Sequence, residues 1–406
     1  MDRLVPERRI PLAALRRKTI AVLPDLYVDA LATLPAWSET REQLSAIAER
    51  GGGNLPVGPI EVKLGGNAAN LAIALARLGA RTTLIAETDV IGRLLLERAA
   101  AGTALDTEGV RIGRHGSTTL GLECLGANVM LSHAGPLTDF GPERLTKADW
   151  SRLAEADAVA IVNWSQNRRG TALVQAVTKR LAPSGTFIYF DSGDPRHRIA
   201  DARALFKGRP WWGSVGAIAM NENELGAFTG RTLAAGDLAA AASRLAGEVG
   251  TRIDLHTRTS ATTVVPGGAA VTVKGLRGRP RRLTGAGDAW NAGNLAGHVM
   301  GWADRDRLRL AHKVATLYVT GASGLPPTAR QADGAIRPSA TTPAPGRPVG
   351  RAAAPAGARG GRADGGRGVV AAGAARAAAP TLVPAAVAST KPNAKPATRR
   401  KAMVNA

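Results

Sequence analysis

With 406 residues, 45% of them apolar, the chain is long enough and apolar enough for one large α/β domain or two smaller ones. The single cysteine, Cys124, excludes an internal disulfide and a cysteine-based metal cluster. It makes a reducing cytoplasm the expected compartment, and no apolar run suggests a signal sequence or a membrane span. The net charge of +21 points to an anionic partner, yet 13 Lys/Arg against 2 Asp lie from Ala329 onward, so about half the excess belongs to one terminal stretch.

Residues 19–23 (Thr-Ile-Ala-Val-Leu) read as a first buried strand that ends at Pro24-Asp25. Residues 31–58 read as a polar, Gly/Pro-rich insertion, and Ile60–Lys63 as a short strand. After Gly65-Gly66-Asn67-Ala68-Ala69-Asn70, the spacing of Ala68, Leu71, Leu75 and Leu78 predicts a helix stopped by Gly79. Residues 82–86 form the next expected strand, 93–101 a helix, and 118–125 with 127–132 a hairpin. From Ala158 strands and helices alternate through 253–257, which predicts a mostly parallel sheet with helices on both faces. A short β pair (261–265 and 270–273) and helices from Asp288 and over 304–320 complete the recognisable part. Past Pro326-Pro327 the composition collapses to Ala, Gly, Pro and Arg, so residues 329–406 are expected to be a disordered basic tail after a domain spanning 1–328. That tail has no aromatic residue for stacking bases, so no specific nucleic-acid binding is expected, only nonspecific, salt-sensitive contact.

The stretch Thr284-Gly285-Ala286-Gly287-Asp288 opens the helix that follows it. Glycines before a helix start leave backbone N–H groups free at the positive end of the dipole, a place that binds phosphate. They also suit a turn in which both Gly285 and Gly287 take positive φ. A carboxylate there repels phosphate, which makes sense if Asp288 takes a proton from an attacking hydroxyl. The stretch alone equally fits a capped helix, with Thr284 as N-cap and Asp288 favouring the dipole.

Gly65-Gly66-x-x-x-Asn70 early and Thr284-Gly285-Ala286-Gly287-Asp288 late resemble the two signatures of the ribokinase-like, or PfkB, carbohydrate kinase family. Asp89-Val90-Ile91-Gly92, Asn221-Glu222-Asn223-Glu224 and Ala311-His312-Lys313-Val314-Ala315 resemble further pieces in the family's order, over about residues 19–328. The resemblance implies a central parallel sheet with a small β lid, here drawn from about 24–63 and 115–133. It also implies transfer of the γ-phosphoryl group of ATP to a sugar hydroxyl, with magnesium as cofactor and room for a monovalent cation. In that reading Asp288 is the base, and the amides of Gly285, Ala286 and Gly287 form the anion hole. Asp25, Asp29, Gly66, Asn67 and Asn70 would contact the sugar, and Asn221, Glu224, Thr257, Thr284 and His312 the nucleotide. Glu224 would hold the metal through water.

Bland readings stand beside several of these. Asn221 and Glu224 also fit a helix cap, Asp29 a surface or cap residue, and His312 an ordinary helical histidine. The polar loops holding Asn163 and Asp194 are aimed at the same sheet edge, though turn chemistry alone accounts for them. The chain departs from the family pattern at Pro24, where Gly is usual, and at Leu283, where a polar residue is usual. A nucleoside kinase is the nearest rival within the family, and a ligand-binding homologue that keeps the fold with weak catalysis is a rival of another functional class. Sugar or nucleoside with ATP, a homodimer through the lid, and no membrane are the expected partners.

Overall fold

β1 (Thr19–Leu23) is an interior strand, third from one edge of the main sheet, in the computed structural model, which describes residues 12–125, 127–276 and 278–333. It leads into β2 (Tyr27–Ala36), α1 (Trp37–Glu49), β3 (Ile60–Gly65) and α2 (Asn67–Arg77). β4 (Arg81–Leu84), β5 (Ala86–Thr88), α3 (Val90–Ala100), β6 (Leu105–Asp106) and β7 (Val110–Ile112) follow, then the hairpin β8 (Ser117–Leu125) and β9 (Ala127–His133). The alternating region runs α4 (Lys147–Ala154), β10 (Ala158–Ile161), α5 (Gly170–Leu181), β11 (Phe187–Asp191), α6 (Ile199–Leu205) and β12 (Ala217–Asn221). It continues through α7 (Glu222–Thr229), α8 (Leu238–Val249) and β13 (Ile253–His256). β14 (Ser260–Val264), β15 (Val271–Lys274), α9 (Ala286–Val299), α10 (Asp304–Thr320) and α11 (Ala329–Asp333) close it.

Nine strands form one sheet in the order β15-β14-β13-β12-β11-β10-β1-β4-β6, all running the same way except β14, which pairs antiparallel with β13 and β15. Side chains alternate across the sheet, so Ile20 and Val22 of β1 join one core and Ala21 and Leu23 the other. The first core is closed by α2, α9 and α10, and the second by α5, α6, α7 and α8. Small residues bring α9 and α10 together: a Cβ on Gly293 would lie 2.7 Å from the Ala311 Cα. The order of strands reverses at β1, and ligands of open α/β sheets bind beyond the strand ends at such a point.

A second sheet, β3-β2-β8-β9, supplies the expected lid from both segments. The stretch 31–58 is more ordered than its composition suggests. β2 runs on to Ala36, and α1 covers the lid beside Ala32, Leu34 and Cys124. The helix spaces Trp37, Leu44 and Ile47 along one face but buries only Thr40, leaving Trp37 and Leu44 exposed. Ala329–Asp333, expected to be disordered, form α11 with Ala332 buried, while residues 334–406 lie outside the described residues.

A buried ion cluster ties β13 to α9 and α10. The Asp254 carboxylate accepts from Arg307 (Nη1, 2.9 Å), His298 (Nε2, 2.7 Å), Asn294 (Nδ2, 2.9 Å) and Thr263. Burial alone would push this carboxyl up, but the Arg307 charge and the hydrogen bonds from His298 and Thr263 outweigh it and hold it far below the usual range. Removing one member leaves a buried charge unpaired. Asp254→Asn should therefore cost about 3–5 kcal/mol of stability in urea unfolding, and an unchanged midpoint would show that the cluster anchors nothing.

Candidate active site

The ends of β1, β10, β11, β12 and β13 face a cavity of about 320 Å³. β2 and the glycine turn before α2 contribute Tyr27, Asp29, Gly66, Asn67 and Asn70 to it, and the hairpin contributes Thr119, Met130 and Ser132. The strand ends bring Asn163, Asp191, Asp194, Asn221, Glu224 and His256, and the last turn brings Thr284, Gly285, Gly287 and Asp288.

The glycine pair before α2 exists because two acids occupy the space of its missing side chains. A Cβ on Gly65 would overlap the Asp29 carboxylate (2.0 Å), and one on Gly66, at φ 92°, would meet Asp25 and the Tyr27 amide at 2.9 Å. The Asp25 carboxylate accepts from the amides of Asn67 (2.9 Å) and Ala68 (2.8 Å) and from the Asn163 side chain (2.9 Å). It thereby caps α2 across the chain and does not itself line the cavity. Asp29, 6% exposed, does line it, and burial pushes its carboxyl up to about 6 against the pull of Thr119 and Lys63.

Asp288 sits in the first turn of α9, and Asn70 of α2 donates its amide to the carboxylate at 3.0 Å. The two sequence signatures, 218 residues apart, meet in that bond. Burial, then the charges of Asp191, Asp25 and Asp29, raise the Asp288 carboxyl well above its ordinary value, although the Asn70 bond opposes the shift. Gly285 rather than Thr284 is the N-cap, in the left-handed region at φ 81°. The Thr284 hydroxyl instead accepts from Asn128 of the hairpin at 3.0 Å, and its carbonyl from the Tyr318 hydroxyl at 3.0 Å. The Ala286 amide turns back to the Leu283 carbonyl (3.1 Å), so Ala286 does not line the cavity while Gly285 and Gly287 do. Of the two glycines expected at positive φ, only Gly285 has it. Gly287 is a helical residue whose missing side chain would face the His256 ring at 3.8 Å. Leu283, the departure from the family pattern, is 67% exposed and leaves the turn intact.

Asn221 and Glu224 form a full capping box on α7, with Asn221 accepting the Asn223 and Glu224 amides and Glu224 accepting the Asn221 amide at 2.9 Å. The cap reading is thus realised, and both residues also line the cavity. Burial and the Asp191 charge raise the Glu224 carboxyl well above its usual value. Thr257 and His312 are not brought to the cavity. The Thr257 hydroxyl closes a turn by accepting the Thr259 (3.1 Å) and Ser260 (3.0 Å) amides. His312 is buried, which lowers its pKa to about 4. The cavity residue on this strand is the neighbour His256, packed on Trp290 with ring centroids 4.7 Å apart.

Asp191 and Asn291 are site residues that no motif singles out. Asn291 stands three residues after Asp288, on the same face of α9, and donates to Asp191 at 2.7 Å. That spacing is the one signal the sequence offers for it. Asn163, left open by its loop, is the one non-glycine residue with positive φ among the described residues (55°), and it lines the cavity with Asp194.

The model of the pfkB family of carbohydrate kinases matches residues 32–329. The chain belongs to that family. Among solved structures, this pfkB-family chain is similar to a ribokinase of Arabidopsis thaliana complexed with ribose and ATP, with a TM-score of 0.62 at 17% identity, over 78% of this chain and 97% of that one. A ribokinase of Cryptococcus neoformans in complex with ADP gives a TM-score of 0.61 at 19% identity over 77% and 97%. An adenosine kinase of Sinorhizobium meliloti gives 0.58 at 18% over 76% and 95%. At these identities the likeness shows the fold, and the pfkB-family chain is ribokinase-like in architecture. No helix among the described residues is long and apolar enough to cross a membrane.

Two consequences are measurable. A Cβ on Gly285 would lie 2.6 Å from the Tyr318 hydroxyl in a left-handed backbone, so Gly285→Ala should lower stability by about 1–2 kcal/mol. Gly287→Ala meets only ordinary contact and should unfold at the parent's midpoint. Equal midpoints for both would contradict the assignment. The Asp29 pKa stands above its unfolded 3.8, so the folded state favours the protonated acid, and this stability is present below about pH 4 and lost as pH rises through about 6. Asp29→Asn should accordingly stabilise by about 1–3 kcal/mol at pH 8 and hardly at all at pH 4, read from paired denaturation curves.

Proposed function

We propose that this chain is an ATP-dependent kinase that phosphorylates a hydroxyl of a sugar or nucleoside. The observation that carries the reading is Asp288: a buried carboxylate in the first turn of α9, bonded to Asn70 of the other signature, facing a cavity lined by polar groups. The attacking hydroxyl forms its bond to the γ-phosphorus as the bond to the ADP oxygen breaks, and its proton passes to Asp288. The amide end of α9 at Gly285 and Gly287 holds the transferring phosphoryl oxygens, helped by the helix dipole. Ala286 contributes to the turn that presents them. Gly66, Asn67, Asn70 and Asp29 hold the acceptor's hydroxyls, and Asp25 acts by positioning the start of α2.

Among the described residues no group of three or more His, Cys, Asp or Glu is arranged to hold a metal ion. Magnesium fits such a site, because it keeps several waters and binds through one or two carboxylates plus substrate phosphates. Glu224, buried with a raised pKa at the cavity wall and fixed by Asn221, is the residue that would hold it through water. Bound there, the ion would offset the charge of the phosphates. Exposed Ile60, Val62, Leu120 and Leu131 on the lid strands support pairing of two copies through the lid.

Asp288→Asn should leave the protein folded with an unfolding midpoint no lower than the parent's, and keep ATP binding, while kcat falls by roughly 10²–10⁴, the range for a positioned base. A protonated Asp288 cannot accept a proton, so kcat of the parent should rise with pH through the raised Asp288 pKa. ADP release measured over pentoses, hexoses, their phosphates and nucleosides supplies the substrate. A variant within a few-fold of the parent would remove Asp288 from the reaction.

A further inference from the structure

No Lys or Arg lines the cavity among the described residues, while five carboxylates do: Asp29, Asp191, Asp194, Glu224 and Asp288. Two cations nearby are engaged elsewhere. Arg196 grips Asp194 through Nε at 2.8 and 2.9 Å, and Arg282, just before the last turn, donates to the carbonyls of Tyr318 (3.0 Å) and Gly321 (2.6 Å). A phosphate at the start of α9 therefore meets backbone amides and the helix dipole but no cationic side chain. Such a site gains from any further N–H donor, because hydrogen bonds to a charged oxygen are the strong ones.

His256 has a donor to spare. It ends β13, in register with Asn221 of β12 on one side and Ala261 of β14 on the other, and its half-buried ring lines the cavity. The buried indole of Trp290 holds that ring from α9, with centroids 4.7 Å and planes 31° apart. The ring turns its Cε1–Nε2 edge to Gly287, where a Cβ would lie 3.8 Å from Cε1 and 4.0 Å from Nε2. Neither ring nitrogen makes a hydrogen bond with a described residue. The titratable groups set about the ring are His312 on α10, and Glu224 and Asp288 across the same cavity. Burial, and then His312, lower its pKa to about 4, so the ring is neutral near pH 7 and keeps one N–H. Packing on Trp290 asks only for a flat ring, which a phenylalanine would supply. The unspent nitrogens beside Gly287 point to a ligand.

We propose that His256 binds the nucleotide, donating a ring N–H to an oxygen of the phosphate held at Gly285 and Gly287, as a side-chain member of that anion site. Trp290 fixes the direction in which it donates. The proposal rests on the kinase reading above, and two separate measurements keep their failures apart. The first is calorimetric titration of the full-length protein with magnesium–ATP and with AMP, whose single phosphate is not the transferring one, beside urea unfolding. His256→Phe keeps the flat ring and should weaken ATP binding by about 10- to 100-fold, the scale of one hydrogen bond to a charged group. Its affinity for AMP and its unfolding midpoint should stay near the parent's. His256→Gln, which keeps an N–H donor on a chain of similar reach, should recover most of the lost ATP affinity. A His256→Phe protein that binds ATP like the parent, or loses ATP and AMP alike, overturns the proposal, as does a His256→Gln protein no better than His256→Phe. The second measurement is ADP release by the parent over sugars and nucleosides. A parent that binds ATP but transfers nothing sinks the kinase reading and leaves His256 to be judged by the titration. A parent that binds no ATP overturns both.

Discussion

The hydrogen bond from Asn70 to Asp288 is the interaction on which the site depends. It requires the starts of α2 and α9 to sit side by side, and each start is placed by something else. α2 begins where Asp25, at the end of β1, collects the Asn67 and Ala68 amides. α9 begins where Gly285 turns through the left-handed region against Tyr318 of α10. Alanines at 68, 72, 289, 292 and 296, all buried in one core, let the helices approach closely enough for a short polar side chain to span the gap. A carboxylate thereby rests at the positive end of a helix and at the mouth of a cavity.

The molecule treats its buried acids in two opposite ways. Asp254, deep between β13, α9 and α10, is matched by Arg307 and by neutral donors, and its carboxyl is held far below the ordinary range. Asp25, Asp29, Asp191, Glu224 and Asp288 are held above it, with burial the leading cause for each. The first kind supports the fold, and the second stores unfavourable charge where a ligand is to bind. The two are joined by a buried chain of hydrogen bonds. Asn291 reaches Asp191, the Tyr189 hydroxyl reaches Asn291 (2.8 Å), and Asn294 donates to Tyr189 (3.1 Å) and to Asp254. The structural cluster therefore also fixes the orientation of a cavity acid.

The lid is not remote from the anion-seeking turn. Asn128 on β9 bonds to Thr284, so the hairpin that supplies Thr119, Met130 and Ser132 to the cavity also touches the residue before Gly285. Its far end is braced by α1 against Ala32, Leu34 and Cys124.

Local pattern is sufficient for much of this. The buried run of β1, the apolar spacing of α2, the hairpin and the strand–helix alternation are all properties of neighbouring residues, so each is legible within a short stretch of sequence. The same holds for both glycine motifs and the acid at 288, because a tight turn, a close backbone approach and a helix start demand particular residue types within a few positions. α1 escapes because its apolar residues Trp37, Leu44 and Ile47 stand among polar neighbours next to Gly51-Gly52-Gly53, a composition that reads as a loop. The roles of Asp25, Thr257, His256 and Asp191 are decided by tertiary structure alone. Which residue at a strand end faces the cavity depends on register and on what the next element places opposite it. Those are contacts between segments up to 218 residues apart, and no local pattern encodes them.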